Sequence, residues 1–257
     1  MSQITNAAQA ALNLLNDIGW EKPGDLSLEE IATSLGAIVE VEPMDGCEGR
    51  IIMAKTSAII KINTSIVHPG KWNFVLAHEI GHFILHRDLS LFFDNSKTLS
   101  EWHTKGVHEQ QANEFAEELL MPTVLFTNMV RGKRLNLRLI EEIASYFKVS
   151  LTAAFIKYSR VGQFPMMVIY IGGGIIKWKM PSTDFPFKYL PYGSKVPAWT
   201  VAGDFFNGKK LESKPVQVEA IEWFPEDYKL KDNKSWRLWE QCYQVSSDGL
   251  MVCLWSL

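Results

Sequence analysis

The chain has 257 residues, 47% of them hydrophobic and 21% charged, with a net charge of −3. That length allows one large domain or two smaller ones with a substantial core, and the charge gives no basic footprint for nucleic acid. The longest apolar run, Met166 to Ile176, holds three glycines and is far shorter than a membrane span. The N-terminus through Ile18 has no basic leader, and Cys47, Cys242 and Cys253 form no CxxC pair. Both features fit a cytoplasmic protein whose cysteines are packing residues.

The first forty residues predict two helices, Ala7 to Ile18 and Ser27 to Leu35, the second opened by a Ser27/Glu30 capping box. Short strands follow at Val39 to Val41, Arg50 to Met53 and Ala58 to Asn63. A strand beside a metal-binding helix can pair its edge with an extended peptide. Pro69 then opens a long helix expected to end near His86 or Arg87.

That helix carries His78-Glu79-Ile80-Gly81-His82. Residues at i and i+4 project from one helix face, so two imidazoles at this spacing can reach a single Zn²⁺. Glu79 can take a proton from the water such an ion activates. His86 continues the series but lies about 12 Å along the axis from His78, too far to share one ion. It could line the cleft or cap the helix. His68 precedes Pro69 and reads as part of a turn.

Downstream, Ala112, Phe115, Ala116, Leu119 and Leu120 mark an amphipathic helix with one buried face. Glu109, three residues before Ala112, lies on that inward face, where a carboxylate needs a partner or a metal. It is the expected third ligand, and Asn113, one turn on, can support the site. Glu114, Glu117 and Glu118 read as solvated surface. Tyr146, Tyr158, His103 and His108 are candidate donors to a developing oxyanion.

From Pro122 to Tyr158 the pattern is helical: Thr123 to Val130, Leu137 to Phe147, Ser150 to Ser159. The last two, with Arg131, Lys133, Arg134 and Arg138, invite a helix-turn-helix reading that touches phosphates. A helical bundle beneath the metal site asks for the same pattern. After Gln163 the chain becomes β-rich: Met166 to Tyr170 and Ile175 to Lys179 flank three glycines as a hairpin. Six of the nine tryptophans follow Phe164. They build a small core, or they form a platform for a ligand or partner.

The block from Phe74 to His86, followed by Glu109 to Pro122, resembles the signature of the ImmA/IrrE family of zinc metallopeptidases. The resemblance implies a zincin-like α+β fold, with His78, His82 and Glu109 binding Zn²⁺ and Glu79 acting as general base. It implies peptide-bond hydrolysis in a regulatory protein, a helix-turn-helix repressor in many members. The expected organisation is a peptidase domain over residues 1–162, with a helical subdomain at 122–160. A β-rich domain over residues 163–257 follows, for sensing or partner binding. Two other readings stand beside this one: a zinc-containing module that regulates a repressor without efficient proteolysis, and a DNA-binding regulator using the central helices.

Overall fold

The structure, a computed structural model, describes residues 5–90, 106–133, 135–162, 164–230 and 235–256. Its contacts separate into two compact units: Met1–Phe126 with Glu142–Ser150, and Thr127–Glu141 with Leu151–Leu257.

In the first unit, helix α1 (Asn6–Asp17) starts at Thr5, whose hydroxyl accepts from the Ala8 amide. Helix α2 (Leu28–Ser34) begins at Ser27, and the capping box forms in both directions with Glu30. Strands β1 (Ala37–Glu42), β2 (Gly49–Met53) and β3 (Ala58–Asn63) make a sheet in the order β1-β3-β2. β3 lies parallel to β1 and antiparallel to β2. Ala58, Ile60 and Ile62 alternate into the core, as a half-buried strand requires. At the end of β3 the buried Asn63 donates to the carbonyls of Met44 and Cys47 and accepts from the Ser65 amide. This fixes the turn that feeds β2.

Helix α3 (Pro69–Ser90) runs about a turn beyond its expected end, because no glycine or proline follows Gly81 within it. Helix α4 (Val107–Leu120) packs against α3 at Gly81, where an added Cβ would lie 3.0 Å from Phe115 Cδ1 and 3.3 Å from Ala112 Cα. Glu118 is a correction to the solvated reading: it is buried, 6% exposed. Its carboxylate accepts from the Thr123 amide and hydroxyl at 2.7 and 2.6 Å, satisfying the first turn of helix α5 (Thr123–Val130). The boundary between the units falls within α5 and helix α6 (Leu137–Phe147).

The second unit contains helix α7 (Leu151–Val161) and an antiparallel sheet. Its strands are β4 (Met166–Gly172), β5 (Ile175–Pro181), β6 (Val216–Glu219), β7 (Arg237–Gln244) and β8 (Gly249–Trp255). They lie in the order β5-β4-β8-β7-β6. The β4–β5 turn is Gly173-Gly174, both at positive φ (58° and 75°), the backbone a tight hairpin demands. Helices α8 (Val201–Phe206) and α9 (Ala220–Trp223) cover this sheet's core with Phe185, Phe187, Trp223 and Phe224. The aromatics divide: those four are buried, whereas Tyr189, Tyr192, Trp199 and Tyr228 are exposed. Among the described residues no helix is long and apolar enough to cross a membrane.

Candidate metal centre

Successive turns of α3 bring His78 and His82 onto the face that meets α4. Their Nε2 atoms lie 3.0 Å apart, and Glu109 reaches each of them at 3.2 Å through its two carboxylate oxygens. Among the described residues this is the one His/Cys/Asp/Glu cluster arranged to hold a metal ion. A tetrahedral ion with ligands about 2.0–2.1 Å away sets neighbouring ligand atoms about 3.3 Å apart, so the observed triangle needs little adjustment.

Protonation explains why the triangle suits a cation. His78 Nδ1 lies 2.9 Å from Asn113 Oδ1, so it carries the proton and leaves Nε2 a bare lone pair. Burial lowers the His78 pKa, opposed by the Asn113 hydrogen bond, which favours the neutral, ligating form. Burial raises the Glu109 carboxyl, while the His108 charge lowers it. Electron-rich atoms converge here within contact distance, an arrangement that could hold a metal cation.

Glu79, next in sequence to His78, lies against Gly49 at the start of β2. An added Cβ on Gly49 would lie 2.7 Å from Glu79 Oε1 and 2.5 Å from Val75 Cγ1, so the carboxylate nests where only glycine fits. Burial, with the nearby charge of Glu109, pushes the Glu79 carboxyl up to about 8. Lys71 of α3 bonds Glu48, in the turn just before β2.

The remaining sequence candidates fall in different places. Asn113 stands beside His78, as above. The His108 ring packs edge-on against His86, with centroids 4.6 Å apart. Tyr146 lies edge-on to Phe147 and is partly exposed, and the Tyr158 hydroxyl donates to the Lys133 carbonyl at 2.9 Å within the second unit. His103 and Arg134 lie outside the described residues. His68 accepts from the Lys71 amide at the start of α3. Arg131, just past the end of α5, donates to Asn128 within that helix. His86 stands outside the ligand triangle but within hydrogen-bonding distance of His82, and Gln111 approaches its far nitrogen. Sequence reading missed Gln111. The signal was its spacing: His108 and Gln111 are an i,i+3 pair on one stripe of α4, beside the i,i+4 pair Glu109 and Asn113.

Part of the chain is similar to known metallopeptidases. Residues 34–158 match the IrrE N-terminal-like domain, Peptidase_M78, so the class is that of a metallopeptidase-type domain. Metallopeptidase ImmA of Bacillus subtilis is 33% identical over 111 residues, covering 41% of this chain and 58% of that protein. The radiation response metalloprotease IrrE of Deinococcus radiodurans is 34% identical over 112 residues, covering 44% of this chain and 33% of that protein. The chain thus spans less than two thirds of either relative. Over residues 34–158, then, the chain is similar to the ImmA/IrrE family. A solved structure, a Mycobacterium tuberculosis transcriptional regulator, shares the fold at a TM-score of 0.61 and 18% identity, covering 98% of this chain and 75% of that one.

Proposed function

We infer that this chain is a zinc-dependent endopeptidase of the HExxH…E type with a zincin-like catalytic domain, acting on a regulatory protein in the cytoplasm. The observation that carries the reading is the convergence of His78 Nε2, His82 Nε2 and a Glu109 oxygen within 4.8 Å of one another. Two imidazoles and a carboxylate are a donor set that suits zinc and leaves a coordination position for reaction. Bound there, zinc supplies Lewis acidity to the substrate carbonyl and the attacking water. Glu79 would take a proton from water as it adds to the carbonyl, and would then give that proton to the amine nitrogen, so that the C–O bond forms first and the C–N bond breaks as the carbonyl re-forms. Asn113 holds His78 in the ligating tautomer. Residues 1–162 serve as the catalytic domain, and residues 163–257, with their exposed aromatics, recognise a signal or partner. The family resemblance points to a helix-turn-helix repressor as the protein cleaved.

The test pairs the wild-type chain with Glu79→Gln. After zinc reconstitution both should hold about one zinc per chain. A repressor encoded beside this gene should be cut by the wild type and about 10²–10⁴ more slowly by the variant. Equal cleavage by the two, or no zinc in either, overturns the reading.

A further inference from the structure

His86 is too far along α3 to share an ion with His78, yet it is 1% exposed and has a polar neighbour on each ring nitrogen. Its Nδ1 lies 3.0 Å from His82 Nδ1, and its Nε2 lies 3.0 Å from Gln111 Oε1. A neutral imidazole carries one proton, so the bonds at its two nitrogens have opposite sense. The amide oxygen of Gln111 only accepts, which places the His86 proton on Nε2. His86 Nδ1 is then a lone pair, and it accepts from His82 Nδ1–H. With its proton on Nδ1, His82 presents a bare Nε2 to the ligand triangle. Reversing any link puts a proton on His82 Nε2, where it would block a metal.

We propose that Gln111 and His86 form a directional hydrogen-bond relay that fixes His82 in its metal-ligating tautomer. Both are positioning residues, acting on the metal only through His82. The inference rests on the reading of His82 as a ligand. Asn113 does the same for His78 in a single step, so α4 sets both histidine tautomers: one directly, the other through an intervening ring. The longer route follows from the helix. His82 Nδ1 faces His86, one turn on along α3. The His108 ring closes over His86.

The experiment measures zinc affinity by competition with a chromophoric chelator and reads the tautomers from imidazole ¹⁵N shifts, in zinc-free and zinc-loaded protein. The wild type should show His82 protonated on Nδ1 and His86 on Nε2. His86→Ala should weaken zinc about 10–100-fold. Gln111→Ala should weaken zinc and leave His86 divided between tautomers, whereas Gln111→Glu, which keeps an acceptor oxygen, should retain wild-type affinity and tautomer order. The double variant His86→Ala/Gln111→Ala should bind no worse than His86→Ala, since Gln111 acts through His86. If His86→Ala does not fold, the two Gln111 variants decide. Wild-type protons on His86 Nδ1, or Gln111→Ala unchanged in both affinity and shifts, overturn the relay. A wild type that binds no zinc removes the metal reading, and the zinc-free shifts still judge the relay.

Discussion

Glu79 depends on an absence at residue 49. The Gly49 φ lies outside the left-handed region, so the backbone accepts any residue and the constraint is space alone. Gly49→Ala should force Val75 and the Glu79 carboxylate to shift, costing about 1–3 kcal/mol of stability. Because the base moves while the ligands do not, cleavage should fall by about 10²-fold with zinc content unchanged. Metal analysis beside a cleavage assay checks the split. A second residue-scale prediction concerns Glu240, buried in the second unit. It accepts from the Ala202 amide at 2.8 Å and from Trp223 Nε1 at 3.0 Å. Burial outweighs these donors and raises its pKa above the ordinary 4.5. The folded chain therefore holds a proton that the unfolded chain releases, and this group's contribution is greatest below about pH 4.5 and declines as pH rises toward the folded value. Glu240→Gln should flatten that slope. It should also cost about 1–3 kcal/mol at neutral pH, because its NH₂ would confront a donor. Urea midpoints at pH 5 and pH 8 measure both effects.

Helices α3 and α4 make the site as a pair. α3 supplies two of the candidate ligands and the proposed base, α4 supplies the third candidate ligand, and Gly81 sets how closely the helices approach. Gly81→Val would push Phe115 and Ala112 outward and carry Glu109 with them. Stability should drop by about 1–3 kcal/mol, and zinc affinity should fall further than an overpacked core remote from the site would cause. Chelator competition in parallel with urea unfolding separates the two. Ser27→Ala removes the cap of α2 far from the ligands, and should cost about 0.5–2 kcal/mol without altering zinc affinity.

At the scale of the whole molecule, the three candidate ligands found among the described residues all belong to one compact unit. Zinc binding is therefore linked to the folding of Met1–Phe126 with Glu142–Ser150. Free zinc at one hundred times its dissociation constant should stabilise that unit by about 2.7 kcal/mol. Calorimetry with and without chelator should show the gain in the transition of that unit. A shift shared equally by every transition would contradict it.

Local patterns were legible wherever the chemistry is local. Thr123–Val130, Leu137–Phe147 and Ala58–Asn63 follow their hydrophobic periods to the residue, and the Ser27/Glu30 box forms as spaced. The sequence could point to His78, His82 and Glu109, which the fold brings together, because i,i+4 spacing and an inward carboxylate are properties of single helices. Partners that depend on how helices meet were not legible. Glu118 reads as surface on its own helix, yet the chain turns back at Pro122 and gives it the Thr123 amide to cap. Gln111 points off the ligand stripe and matters only because His86 lies opposite, and the room Gly49 leaves for Glu79 exists only once β2 has paired with β3. By itself the sequence determined which groups could bind and which could move a proton, since those depend on residue type and short spacing. Tertiary structure alone decided which tautomer each histidine holds and how close the base can come, because both depend on contacts between residues distant in the chain.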